Sequence, residues 1–146
     1  MLVIIKKNCM STNRNEHLKK VLDTHDINKV GSLNKFIAKK NAVKNALNNK
    51  FSETIASNAI DSGSYAKNTA INTKFDIDCC IPFRKKEKEE DKGYSSLKDM
   101  FDDVYKYLRN EYTEDDDDIT KEDVRKQKVS IGMKFNIGGE EFDMDV

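Results

Sequence analysis

An α+β fold is what this sequence predicts, and three observations predict it. Apolar residues recur at helical spacing around residues 17–22, 32–49 and 95–108. Two later stretches, 75–83 and 124–146, carry short strand patterns, the second alternating on both sides of a glycine pair. The totals agree: 146 residues, 37% hydrophobic and 36% charged, suit one soluble domain, which typically takes about 100–200 residues.

Taken in order, residues 1–31 form an N-terminal lead-in with a short helix. Met1 to about Asn15 show no sustained periodicity and read as loosely ordered. His17, Leu18, Val21 and Leu22 then recur with Lys19 and Lys20 on the other side, an amphipathic helix expected to stop near Gly31. Ser32 offers an N-cap to a second helix, with Phe36, Ile37, Val43 and Leu47 along one side, ending around Asn48-Asn49. From Ser52 to Ile60 pattern alone does not separate strand from helix, and the chemistry that follows favours a strand leading into a turn. Gly63-Ser64 breaks the pattern.

Phe75 to Phe83 reads as a short strand bounded by Pro82. Arg84 to Lys92 mixes both charges densely, as solvated loops and exposed helix ends do. Ser95 or Ser96 opens a helix with Leu97, Met100, Phe101, Val104, Tyr105 and Leu108 on a wide apolar face, so Phe101, Tyr105 and Tyr107 are core or helix-surface residues. Glu114 to Asp118 is an acidic run without the glycine and spaced glutamate of a calcium loop, and reads as solvated. Val124 to Phe135 reads as a half-buried strand in which Val129, Ile131, Met133 and Phe135 alternate with Ser130, Gly132 and Lys134. Asn136 to Gly139 supplies a hairpin turn. In the last segment Phe142, Met144 and Val146 face one way, Asp143 and Asp145 the other.

Composition excludes several function classes. No apolar run approaches the roughly 18–20 residues of a membrane-spanning helix, and Leu2 to Ile5 are too short a run for a signal peptide. A cytoplasmic protein with no membrane partner is the expectation. Lys plus Arg number 26 and Asp plus Glu 26, so there is no global attraction to nucleic acid. Of three cysteines, Cys79 and Cys80 are adjacent and read as small strand residues, neither a disulfide framework nor a zinc site. His17 and His25 have no partners at metal spacing and read as surface residues.

The chemistry concentrates in two places. Asp76 and Asp78 lie two apart on a strand and share a face, while Phe75 and Ile77 point to the core. Two like charges so close repel, and hard oxygen donors suit a divalent cation such as magnesium. Upstream, in Gly63-Ser64-Tyr65-Ala66-Lys67, the glycine permits a tight turn and Ser64 is placed to cap a helix beginning at Tyr65. Free backbone N–H groups at such a turn form a cradle for phosphate.

Gly63-Ser64, eleven residues, then Asp76-Ile77-Asp78 resembles the signature of the DNA polymerase beta-like nucleotidyltransferases. The wording Gly-Ser-Tyr-Ala-Lys-x-Thr-Ala-Ile before Asp-Ile-Asp is most similar to the bacterial CD-NTases, the SMODS-type synthases of cyclic di- and oligonucleotides. The order of elements from Ser32 to Val146 fits as well. The resemblance implies a nucleotidyltransferase core over residues 32–146, a mixed sheet with helices packed on it, and a helical second half beyond this chain's end that would act as its partner in binding the base.

The resemblance further implies an enzyme that uses nucleoside triphosphates and two magnesium ions to make a second messenger in antiphage defence. Asp76, Asp78 and a third acid would be catalytic and hold the metal. Met144-Asp145-Val146 matches the third acid's hydrophobic-Asp-hydrophobic setting best, with Asp143 the alternative. Gly63, Ser64 and Lys67 would bind the nucleotide's phosphates. Asn68 stands where the family often has glycine. RNA- or protein-modifying nucleotidyltransferases, and a non-catalytic fragment of such an enzyme, are the competing readings.

Overall fold

The computed structural model describes residues 10–24, 26, 31–67, 70 and 77–146. The expectations for Met1 to Cys9, His25, Asn68, Phe75 and Asp76 lie outside the described residues. The first helix, α1, runs Met10–Thr24. It starts inside the stretch expected to be loosely ordered and stops seven residues short of Gly31. At its end the Thr24 hydroxyl folds back and donates to the Lys20 carbonyl at 2.7 Å. Leu18, Val21 and Leu22 stay exposed, so this amphipathic stripe adds nothing to the core.

The second helix, α2, spans Leu33–Lys50, as the periodicity predicts. Ser32 precedes it, but with φ −90° and ψ −4° its side chain makes no capping bond; its carbonyl instead accepts from Lys35 and Phe36. The expected strand over Ser52–Ile60 is replaced by a turn after Phe51 and a three-residue strand β1, Ile60–Ser62. A four-residue helix α3, Gly63–Ala66, follows directly. Strand β2 is Ile77–Cys80. The charged stretch 84–92 is loop, and α4 covers Leu97–Asn110 with Ser96 as the cap, its Oγ accepting from the Asp99 N–H at 3.0 Å.

The predicted strand over Val124–Phe135 is two strands, β3 at Val124–Lys126 and β4 at Ile131–Ile137, separated by a turn closed by Gln127 N–H donating to Ser130 O at 2.9 Å. Val129 therefore projects into solvent at 87% exposure instead of alternating into the core. A glycine-pair hairpin joins β4 to β5, Glu140–Asp145, with φ +63° at Gly138 and +87° at Gly139, as a tight hairpin requires.

The five strands form one mixed sheet in the order β1-β2-β5-β4-β3, with β2 and β5 parallel and the other pairs antiparallel. Ile77, Met144, Met133 and Val124 lie side by side across four strands and are all buried. Against that face α2 packs Phe36, Val43 and Leu47 and α4 packs Val104 and Leu108. Each such apolar side chain contributes about 1.5–3 kcal/mol by leaving water. A ring stack of Phe36 on Phe142 at 4.6 Å and Phe142 on Phe135 at 5.0 Å ties α2 to the hairpin. Leu97, placed by periodicity on the apolar face of α4, is 81% exposed because it sits in the first turn, before the helix reaches the core.

The acidic run is less solvated than its composition predicts. Asp116 accepts from Lys39 at 2.7 Å and from the Tyr112 hydroxyl at 2.7 Å, and Lys39 also pairs with Asp118 at 2.5 Å. Among the described residues no helix is long and apolar enough to cross a membrane.

Candidate active site

Register decides what lies opposite the helices. Ser62 pairs with Asp78, Asp78 with Asp145, Asp145 with Gly132, and Gly132 with Arg125. These five residues form one row across the sheet, offset by one from the buried row of Ile77, Met144, Met133 and Val124. Because side chains alternate along a strand, the row faces away from the core. Asp78 and Asp145 are thus direct neighbours on parallel strands, whose spacing is about 4.8 Å. Asp143 lies one pair further along the same face, opposite Lys134, and is exposed.

Gly63 closes the site at the β1 side. Its φ is +70°, and a Cβ built there would lie 1.5 Å from Asp78 Oδ2 and 2.6 Å from Asp78 Cγ. The carboxylate occupies the place of a side chain, so only glycine brings this turn against Asp78. The helix begins at Gly63, two residues before the expected start at Tyr65. Ser62, not Ser64, precedes it in extended geometry, and its side chain makes no capping bond. Ser64 is half-buried and Lys67 is exposed.

Two lysines fix the strand that delivers this turn. Lys40 and Lys44, one helical turn apart on α2, each reach Asp61 at 2.6 Å, and Lys40 also lies over the Tyr65 ring at 5.4 Å. Lys40 is 2% exposed. Partial burial would raise the Asp61 carboxyl, but the hydrogen bonds from both lysines prevail and hold it below its ordinary value.

On the other side, Asp145 accepts from Gln127 Nε2 at Oδ1, 3.0 Å, while the Ser130 hydroxyl stands 3.3 Å from Oδ2 and 2.9 Å from Gln127 Oε1. Gly132 makes room for them: a Cβ there would meet Gln127 Nε2 at 2.5 Å.

Asp145 borders two clefts. One of about 490 Å³ also takes in Gly63, Lys67 and Asp78 together with apolar Phe83, Met100 and Phe101. The other, about 500 Å³, is lined by Arg125, Lys134 and Asp143 among others. Among the described residues no three His, Cys, Asp or Glu side chains gather as a metal site. Two adjacent carboxylates remain, and an all-oxygen pair suits a hard cation such as magnesium.

Of the sequence-predicted residues, Gly63, Lys67, Asp78 and Asp145 share one cleft, and Ser64 sits in the adjoining turn. Asp76 lies outside the described residues. Cys79 is buried, which pushes its thiol up to about 12, whereas Cys80 is exposed. Sequence reasoning missed Lys40, Asp61, Gln127 and Ser130. A signal existed for Lys40, which falls on the same stripe as Phe36, Val43 and Leu47 at spacings of four, three and four. For Gln127, the unbroken polar run from Arg125 to Lys128 contradicts a half-buried strand.

No protein-family model matches the chain, and no curated protein matches it. Solved structures do. CdnC of E. coli MS115-1 in its complex with HORMA-deltaN superposes with a TM-score of 0.60 at 21% identity, covering 89% of this chain. The chain has a CD-NTase-like fold. CdnC with ATP gives 0.56 at 20% identity over 88% of this chain. The match spans 39% and 37% of those CdnC chains, about two fifths of their length.

Proposed function

We propose that this chain is the catalytic core of a nucleotidyltransferase that joins nucleoside triphosphates into a cyclic di- or oligonucleotide second messenger serving antiphage defence. The observation that carries the reading is the direct pairing of Asp78 with Asp145 on parallel strands, with Gly63 packed against Asp78. The CdnC-like fold supports it, and one of the solved CdnC structures is described as CdnC with ATP.

In this reading Asp76, Asp78 and Asp145 hold magnesium, and Asp145 is preferred over Asp143 as the third acid because it, not Asp143, stands opposite Asp78. Bound magnesium would neutralise charge on the triphosphate and on the attacking oxygen, the usual demand of phosphoryl transfer. Gly63 and Ser64 grip the triphosphate through the turn's backbone N–H groups and the hydroxyl, and Lys67 reaches the phosphates from the cleft wall. Asp145 orients the acceptor ribose hydroxyl and draws its proton as the hydroxyl oxygen bonds the α-phosphorus and pyrophosphate leaves.

The test is incubation of the protein with the four radiolabelled nucleoside triphosphates and magnesium, with Asp76→Ala plus Asp78→Ala as control. A small, phosphatase-resistant product absent from the control supports the synthase. Label carried onto RNA or protein instead supports a modifying transferase. No product, together with no magnesium-dependent nucleotide binding by calorimetry, overturns the enzyme reading.

A further inference from the structure

Asp61, Asp116 and Asp145 are held in two different ways. Asp61 is gripped by the ammonium groups of Lys40 and Lys44, and Asp116 by that of Lys39. Such carboxylates have their charge neutralised from within the protein. Asp145 is held by an amide and a hydroxyl, both neutral. A neutral donor fixes a carboxylate without satisfying its charge, which is what a group waiting for a cation requires. A lysine in the same place would compete with the metal.

Geometry sharpens the contrast. A carboxylate offers about four lone-pair sites on two oxygens. Gln127 takes one on Oδ1, and Ser130 stands beside one on Oδ2, so each oxygen keeps a free direction for a cation or a hydroxyl. The Ser130 hydroxyl has a single proton, shared between Gln127 Oε1 at 2.9 Å and Asp145 Oδ2 at 3.3 Å. The three groups therefore close a triangle in which moving one loosens the others. Its frame is the 127–130 turn, closed by its own backbone bond, and the side-chain-free face of Gly132, against which the Gln127 amide lies. Lys128 and Val129 at the tip are exposed.

We propose that Gln127 and Ser130 are positioning residues for Asp145, presenting its carboxylate to a divalent cation in a fixed orientation while leaving its charge unspent. The inference rests on the nucleotidyltransferase reading. Outer partners of metal-binding carboxylates and imidazoles typically contribute about 10–100-fold in metal affinity, and losses of that order are expected here.

The experiment compares the wild type with Gln127→Met, which keeps length and loses both donors, Ser130→Ala, the double variant, Ser130→Thr, which keeps the hydroxyl, and Lys128→Ala at the exposed tip. Manganese is titrated calorimetrically, alone and with a non-hydrolysable ATP analogue, and thermal unfolding is followed in parallel. Expected is a loss of about tenfold or more in manganese affinity for Gln127→Met and for Ser130→Ala, with unfolding midpoints close to wild type. The double variant should lose less than the product of the single losses, and Ser130→Thr and Lys128→Ala should bind as wild type does. Where turnover is measurable, kcat falls and KM for the nucleotide holds. Wild-type affinity in both single variants overturns the positioning role alone. No manganese or nucleotide binding by the wild type overturns the nucleotidyltransferase reading, and this role with it.

Discussion

Replacing Gly63 by alanine tests whether the turn and the carboxylate are built against each other. Two costs are expected. Alanine at φ +70° costs about 1–2 kcal/mol in backbone conformation. Its methyl would also overlap the Asp78 carboxylate, 1.5 Å from Oδ2 and 2.6 Å from Cγ, and such overpacking costs about 1–3 kcal/mol. The sum, roughly 2–5 kcal/mol, lowers the unfolding midpoint by roughly 6–15 °C for a domain of this size. The two parts separate in a double-mutant cycle with Asp78→Ala. Truncation at Asp78 removes the oxygen and Cγ from the overlap and leaves only Asp78 Cβ at 3.1 Å, a tight but tolerable contact. Scanning calorimetry on the four proteins should therefore give a coupling of about 1–3 kcal/mol, with the backbone cost persisting in both backgrounds. A coupling below about 0.5 kcal/mol, the range of ordinary additivity, would refute the claim that Gly63 is required by contact with Asp78.

Three further outcomes are expected. Asp61→Ala leaves the buried Lys40 ammonium with one partner fewer; breaking a fully buried pair costs about 3–5 kcal/mol, and the 38% exposure of the Asp61 side chain reduces this to about 1–3 kcal/mol by chemical denaturation. Asp61 and Asp116 both titrate below their ordinary values in the fold, Asp116 because the Lys39 and Tyr112 hydrogen bonds outweigh its burial, so their stabilisation is complete above about pH 4 and drains away as pH falls through the folded values. Denaturation midpoints between pH 6 and 2 should show that loss, and Lys39→Met should shrink it. Val129→Ser should change stability by no more than about 0.5 kcal/mol, whereas Ile131→Ala should cost about 2–5 kcal/mol; equal costs would restore a continuous strand through Val124–Phe135.

How much of this was legible in the sequence depended on whether the signal was local. The alternation of Ile131, Met133, Phe135, Phe142 and Met144 gave the inner face of the hairpin, and all five are buried. Gly63 and the two aspartates stood out because a turn glycine and a spaced acid pair are short-range patterns. The register was not local: nothing within either strand says that Asp78 meets Asp145 rather than Asp143, since that depends on parallel pairing between segments separated by a helix and a hairpin. Val129 was misplaced because alternation across residues 129–135 looked continuous, while the backbone bond from Gln127 to Ser130 ends the pattern at Ile131. Lys40 falls on the apolar stripe of α2, but its partner Asp61 lies on β1, so the ion pair that accompanies its burial is not a local pattern.

The central claim is that Asp78 and Asp145 act together on a divalent cation carrying a nucleotide. Calorimetric titration of a non-hydrolysable ATP analogue into the protein, with and without magnesium, tests it most directly when the wild type is set beside Asp78→Asn and Asp145→Asn. The account predicts magnesium-dependent binding in the wild type and its loss in either variant, with folding intact. Binding that is indifferent to magnesium, or unchanged when both carboxylates are neutralised, would contradict it.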